Sequence, residues 1–570
     1  MRYTVVATDY DGTLAKDGQV SDGTIAALER LRQSGRMVIL VTGRELDSLR
    51  ASFARLDLFD CVVAENGGLL FMPGSGREVA LAPQPPAAFV ASLRRAGVDA
   101  LGVGHTIVST RHPHETTVLD AIRRLGLELE IVFNKGAVMV LPTGVNKCTG
   151  LASALVELGQ SFHNVVGVGD AENDHAFLRG CECAIAVSNA LPSVKRAVDW
   201  TTRGARGAGV EELIERLLLD DLASLEPRLD RHHMRVGASQ RAPHKNVTLA
   251  PYGTRVLVLG SSKAGKSSLT FGLLERLSEA HYQYCLIDPE GDYEAMPSTV
   301  NLGTQDRVPA IEEVLDVLER PDQNAVVCLL AMPAIERPAY FAQLLPRLEA
   351  LYASTARPHW LVIDEVHHVL PAEWAAVDET LPRAFGGLIM VGLRAGAVAR
   401  SALSVANTVV TVGDAPGRVL REFCQIVGCA TPAAAGRNLD NGEAQFWRVG
   451  QRRAQTIDVE PAQGDRRRHR RKYAEGELPP ERSFYFTGAD DRLHLRAHNL
   501  SLFLQLADGV DDDTWLHHLR LGDVSRWVRT ELKDAKLAER LASIEQANRP
   551  ARESRAEMRA AIEQRYAPPG

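Results

Sequence analysis

Short apolar runs alternate with amphipathic stretches along most of the chain, and the change in that texture divides it. V5-V-A-T8, M37-V-I-L-V41, C61-V-V-A64, V165-V-G-V168 and C183-A-I-A-V187 are continuously apolar, as strands of a parallel sheet covered on both faces must be. Between them, residues 22–34 and 147–159 carry apolar positions at helical spacing. From 84 to 145 the pattern differs, opening at the proline-rich run Pro83 to Pro86 and closing at Pro142, Thr143 and Gly144. This predicts a small α/β unit inserted in a domain of residues 1–218.

Residues 219–245, including L225-E-P-R-L-D-R-H-H-M-R-V-G237, predict a basic linker. A second α/β pattern fills 246–460, with strands expected at V256-L-V-L259, C285-L-I287, V326-V-C-L-L330, W360-L-V-I363, L388-I-M-V391 and V409-V-T-V412. A second basic linker is expected at 461–482, a small mostly helical module at 483–545, and an exposed, charged helical tail at 546–570. The overall class is therefore α/β.

A chain of 570 residues exceeds what one core supports, which agrees with several domains. The net charge of −7 disfavours the whole molecule as a nucleic-acid binder. Eight cysteines without a C-x-x-C pair, and only the C181-E-C183 spacing, fit buried thiols in a reducing compartment. No apolar run approaches ~18 residues and no signal-like segment opens the chain, so the expectation is a cytoplasmic protein without a membrane partner.

Chemistry enters with T8-D-Y-D-G-T-L14, where Asp9 and Asp11 follow a buried strand and Gly12 permits a sharp turn. Two carboxylates facing one site can divide the work of a phosphoryl displacement, one attacking phosphorus and the other moving the proton. V41-T-G-R44 adds a hydroxyl and a backbone amide at Thr42 and Gly43, with Arg44 beside them. N146-K147 places an ammonium before a helix, and G167-V-G-D-A-E-N-D174 brings Asp170, Asn173 and Asp174, hard oxygen ligands suited to Mg²⁺.

This ordered set resembles the haloacid dehalogenase (HAD) superfamily, in its Cof-like branch with a C2-type α/β cap, over residues 1–218. The resemblance implies a Rossmannoid domain in which Asp9 is the nucleophile and Asp11 the general acid/base. It makes Thr42 and Lys147 the phosphate clamp and Asp170 the metal ligand, with Asp174 and Asn173 supporting it, and Asp11 contributing to the metal through its backbone carbonyl. Gly12, Gly43, Arg44 and Asn173 are the expected substrate contacts, and V63-A-E-N-G-G68 resembles the loop that leads into the cap. The cap residues His105, Arg111 and His112 are within reach of a substrate or lie on cap surface. The implied substrate is a small phosphorylated metabolite, of the phosphoglycolate or sugar-phosphate class.

G260-S-S-K-A-G-K-S267 matches a phosphate-cradling loop, after an expected strand and before the amphipathic 269–277. Gly260, Gly265, Lys266, Ser267 and Ser268 would hold nucleotide phosphates, with Ser267 on Mg²⁺. W360-L-V-I-D-E365 offers Asp364 to that magnesium and Glu365 to the attacking water, a pair favouring ATP hydrolysis over a kinase. With C285-L-I-D-P-E-G-D-Y293, residues 250–450 resemble the HerA/FtsK class of RecA-like P-loop ATPases. G392-L-R-A-G396 departs from that class where a polar sensor is usual. Arg394, Arg400, Arg418 and Arg421 are candidate fingers or surface arginines, and His367 and His368 candidate relays or ordinary helix-start residues.

The implied partners are a small phosphoester, ATP and other copies of the ATPase domain. Three functions stay open: a phosphatase coupled to an ATPase, a nucleic-acid-associated ATPase with a phosphatase attached, and a polynucleotide kinase–phosphatase. The R466-R-R-H-R-R-K472 run is a phosphate-backbone contact or a solvated linker.

Overall fold

A computed structural model describes residues 1–134, 136–261, 264–293, 296, 298–373, 385–462, 478, 480–488, 493–532, 534–547 and 549–566. The chain forms two compact units. The first contains both α/β patterns, and the second is built mainly from residues after 460.

Strands β1 (Val5–Thr8), β2 (Met37–Val41) and β3 (Cys61–Ala64) run parallel in that order. An antiparallel ribbon, β4 (Leu69–Met72) and β5 (Arg77–Ala80), continues that edge. The inserted unit follows: β6 (Gly102–Val103), β7 (Val108–Arg111), β8 (Leu129–Asn134) and β9 (Ala137–Pro142), in the order β6-β7-β9-β8. Period-two alternation on β9 sorts its side chains. Val138 and Val140 join Phe89 and Val118 of the two cap helices, Ala87–Arg95 and Glu115–Leu125. Met139 and Leu141 form the opposite face with Ile107.

The chain then returns to the first sheet through β10 (Val165–Gly169), β11 (Cys183–Ala186) and β12 (Trp200–Thr201), added on the other side of β1. Strand order thus reverses between β1 and β10, the switch point where open α/β sheets form their crevice. The strands expected here all form, with every residue of β1, β3, β10 and β11 buried.

Residues 219–245, expected as a linker, carry structure instead. β13 (Met234–Ser239) and β14 (Ala242–Leu249) form a hairpin, and β13 pairs with β23 of the second sheet. Met234, Val236, Val247 and Leu249 are buried beneath polar neighbours, and that interleaving masked the strands. Arg231 from the same stretch pairs with Asp199 at 2.8 Å.

The second sheet adds β15 (Thr254–Leu259), β16 (Tyr284–Asp288), β17 (Thr299–Leu302), β18 (Asn324–Cys328), β19 (Trp360–Ile363), β20 (Gly387–Gly392), β21 (Thr408–Thr411), β22 (Glu443–Arg448) and β23 (Gln455–Val459). Their order is β14-β13-β23-β22-β21-β15-β20-β19-β16-β18-β17, parallel from β21 to β17.

In the second unit a hairpin of β24 (Phe484–Phe486) and β25 (Leu495–Ala497) and helices from Leu500 to Tyr566 enclose Phe503, Trp515 and Trp527. The helix Ala551–Tyr566 is not the exposed tail expected, because Met558, Ala561 and Ile562, at i, i+3 and i+4, are buried in that core. The Arg466–Lys472 run lies outside the described residues.

Candidate active site

β1 and β10 end side by side, and their ends carry the acidic residues. Asp9 donates its N–H to Val168 O at 3.0 Å, which fixes the first loop against the second. Lys147 is the first residue of the helix Lys147–Glu157, whose cap Asn146 accepts from the N–H groups of Cys148 and Thr149 at 2.9 and 3.1 Å. Fully buried, its Nζ donates to Asp9 Oδ1 at 2.5 Å and Asp174 Oδ1 at 2.6 Å.

Oxygens of Asp9, Asp170 and Asp174 all lie within 4.8 Å of one another. Asp174 Oδ2 also accepts from the N–H groups of Asp170 and Ala171, both at 2.9 Å, so it shapes the loop that presents Asp170. Gly169 is required there, because a Cβ would stand 2.7 Å from Asp174 Oδ2.

Asp9, Asp170 and Asp174 bring three carboxylates together in a dry place beside the Lys147 ammonium. Burial pushes the Asp9 carboxyl above the usual carboxylate range, Asp174 adds to this, and Lys147 opposes it. Burial alone would lower the Lys147 ammonium, but Asp174 and Asp9 hold it above the usual lysine value. A buried cluster of carboxylate oxygens is a hard donor set that fits Mg²⁺.

The remaining expected residues are placed as follows. Asp11 stands apart from the Asp9 cluster: its Oδ2 and Oδ1 accept from Arg44 Nε and NH2, both at 2.6 Å. Gly12 takes the left-handed turn expected of it, at φ 90°, and its carbonyl accepts from Asn189 Nδ2 at 2.8 Å. Thr42 is buried, and its hydroxyl accepts from the Arg44 N–H at 3.2 Å. Asn173 donates to Asn66 Oδ1 at 3.1 Å and faces Gly43, over which the cap places Met139, with Sδ 3.4 Å from where a Gly43 Cβ would be.

Of the cap residues, Arg111 and His112 are exposed, His112 stacking on Phe133, while His105 turns to Glu65 and Glu78. Sequence reasoning passed over Asn189, Thr13 (Oγ1 3.3 Å from Asp170 Oδ1) and above all Glu65, a buried acid in the A-E-N-G-G loop.

In the second sheet, β15 leads to Gly260, and Gly265, at φ 99°, precedes the helix Lys266–Glu279, whose first turn holds Ser267 and Ser268. Lys266 is buried, its Nζ 3.3 Å from Ser261 O. Asp364 follows β19 and is buried, and Glu365 takes φ 40° with Oε2 3.4 Å from His367 Nδ1. Arg394, Arg400, Arg418 and Arg421 are all exposed. Ser262 and Lys263 lie outside the described residues.

Residues 6–82 and 105–214 match the family model of haloacid dehalogenase-like hydrolases. A phosphoglycolate phosphatase of Methanothermobacter thermautotrophicus is 30% identical over 220 residues, 37% of this chain and 98% of that protein. The chain belongs to the haloacid dehalogenase-like hydrolases. A phosphoglycolate phosphatase of Pyrobaculum aerophilum is also 30% identical, over 38% of this chain and 97% of its own length. Among solved structures, a haloacid dehalogenase-like hydrolase from Bacteroides thetaiotaomicron is 19% identical, at TM-score 0.34, over 38% of this chain and 99% of that chain. These matches lie in the N-terminal HAD domain, which is α/β and Rossmann-like. Among the described residues no helix is long and apolar enough to cross a membrane.

Proposed function

We propose that the HAD domain is a Mg²⁺-dependent phosphomonoesterase acting through an aspartyl-phosphate on a small phosphorylated metabolite. The observation that carries this reading is Asp9 held by Lys147 beside Asp170 and Asp174 at the switch point of the sheet. Asp9, Asp170 and the Asp11 carbonyl would hold the ion, which supplies charge neutralisation at the phosphoryl oxygens.

Lys147 takes Oδ1 of Asp9, so we assign Oδ2 to the attack. The new O–P bond forms as the P–O bond to the leaving group breaks, and Asp11 gives that oxygen a proton. Asp11 then takes a proton from water, whose oxygen attacks phosphorus, releasing phosphate and restoring Asp9. Thr42 and the Gly43 N–H bind phosphoryl oxygens. Met139 of the cap stands close over Gly43, which favours a small substrate, and phosphoglycolate phosphatases among the relatives support the phosphoglycolate class. Asp9→Asn should abolish phosphate release from phosphoglycolate; undiminished release by that variant would sink the assignment.

We assign the second sheet to ATP binding and hydrolysis. In its order one strand, β20, separates β15 from β19, so the loop carrying Lys266 and the acidic Asp364–Glu365 pair emerge roughly 10 Å apart at the same sheet edge. That span suits a magnesium-bound triphosphate. Coupling of this activity to the phosphatase, with ATPase copies as partners, is the preferred reading; a nucleic-acid-associated ATPase is the alternative, and a kinase–phosphatase third. Lys266→Ala should abolish ATP binding and leave phosphoester hydrolysis intact, and ATP binding that survived it would overturn this assignment.

A further inference from the structure

Glu65 is fully buried, and its carboxylate is spent on the cap. Oε1 accepts from the His105 N–H at 2.9 Å and lies 3.2 Å from His105 Nδ1. Oε2 accepts from the Thr106 N–H at 2.7 Å and from Thr106 Oγ1 at 2.9 Å. The fit leaves no slack: a Cβ on Gly104 would come within 2.6 Å of Oε1, and one on Gly68 within 1.8 Å of Thr106 Oγ1.

On the core side the Glu65 N–H donates to Arg44 O at 2.9 Å, and the next N–H, of Asn66, donates to Thr42 O at 3.0 Å. Glu65, Asn66 and Gly67 take three consecutive positive φ values, 53°, 54° and 105°, a backbone that non-glycine residues adopt only under constraint from their surroundings. One strained turn therefore joins the β6–β7 loop of the cap to the loop carrying Thr42, Gly43 and Arg44.

A buried carboxylate is tolerated only while its donors are in place. All four donors come from the cap, so only the docked cap can satisfy the group. We propose that Glu65 is a positioning residue, the latch by which cap docking sets Arg44 for the second anionic group of a small substrate. This rests on the phosphomonoesterase reading for its kinetic test, though not for its structural one.

The test compares Glu65→Gln with the parent protein on phosphoglycolate and on p-nitrophenyl phosphate, with amide hydrogen exchange followed over residues 102–109. The amide NH₂ of Gln would face an N–H donor, so the latch weakens at nearly constant volume. We expect kcat/KM on phosphoglycolate to fall tenfold or more, chiefly through KM, with p-nitrophenyl phosphate within threefold of the parent. Exchange over 102–109 should rise at least tenfold while β1 to β3 stay protected. Thr106→Val, which removes one donor of four, should show about threefold effects. Equal losses on both substrates, or unaltered exchange at 102–109, would overturn the latch. If the parent protein fails to cleave phosphoglycolate, the substrate assignment falls, and the exchange result alone decides the latch.

Discussion

The pairing of Arg44 with Asp11 makes the sharpest prediction, because it sets two proposed roles against each other. Both oxygens of Asp11 accept from one guanidinium at 2.6 Å, so in this state the carboxylate is an acceptor and cannot deliver a proton. Such charge-assisted bonds are each worth roughly 1.5–3 kcal/mol when shielded. Here Asp11 is 43% exposed, and solvent screening reduces the pair to about 1–1.5 kcal/mol, a five- to tenfold effect. Arg44→Gln should loosen the hold on Asp11 by that amount while removing a cation that would otherwise bind a second anionic group on the substrate.

The two consequences have opposite signs. On a simple alkyl phosphate, whose leaving group needs a proton and carries no carboxylate, kcat should rise up to tenfold or stay level. On phosphoglycolate, KM should rise tenfold or more. Steady-state kinetics on the two substrates, with Mg²⁺ held saturating, measures both. A loss of the same size on both substrates would refute the reasoning, since Arg44 would then serve only to hold the loop.

Lys147→Ala leaves Asp9 and Asp174 facing each other within 4.8 Å, a repulsion of about 3.5 kcal/mol at an effective dielectric near 20, so single-turnover rates should fall a hundredfold or more. Gly169→Ala should abolish phosphate release with ATP binding retained, because its Cβ would displace Asp174; nucleotide titration beside the phosphatase assay separates the two. Glu182 is held well below the usual carboxyl range: burial would raise it, but the His163 hydrogen bond and the charges of His163 and Arg2 outweigh that. A depressed carboxyl stabilises the fold above the unfolded value near 4.3, and that stability drains away as pH falls below it. Unfolding measured from pH 7 to pH 3 should therefore be steeper with pH in the parent than in Glu182→Gln, and parallel slopes would contradict this.

Legibility in the sequence followed how local each signal was. The buried strands and the helix at Lys147 were readable because continuous apolar runs and a capping asparagine act within a few residues. Asp9, Lys147, Asp170 and Asp174 could be named because each lies at the end or the start of such an element or in the loop that follows it, and the structure brings those four together. The hairpin β13–β14 escaped because its strands alternate with charges, and its pairing with β23 spans more than two hundred residues. Glu65 escaped for a similar reason: its donors lie forty residues away, in a cap whose docking no local pattern encodes. The engagement of Asp11 by Arg44 was equally invisible, since adjacency of two motifs does not say which side chains turn toward each other.

The seam between the HAD domain and the second sheet is a layer of buried histidine, tyrosine and acidic side chains. His163 lies just ahead of β10, and its two ring nitrogens rest against Glu182 Oε2 at 2.7 Å and Ala280 O at 2.6 Å. Ala280 caps the helix that begins at Lys266, while β10 ends at the loop bearing Asp170. Tyr282 stacks on the same imidazole and donates to Glu182 at 2.8 Å, and Tyr252 donates to His163 O at 3.0 Å beneath the Arg2 guanidinium. His359 completes the layer: Nδ1 accepts from the Gln283 N–H and Nε2 faces Asn164 Oδ1, so its neutral form is set by its partners, and burial likewise lowers it. In this layer the His163, Tyr282, Tyr252 and His359 polar atoms are all engaged, and sliding by an ångström would strand buried donors at about 1–3 kcal/mol each. The seam therefore resists shear and behaves as a joint between two sheets.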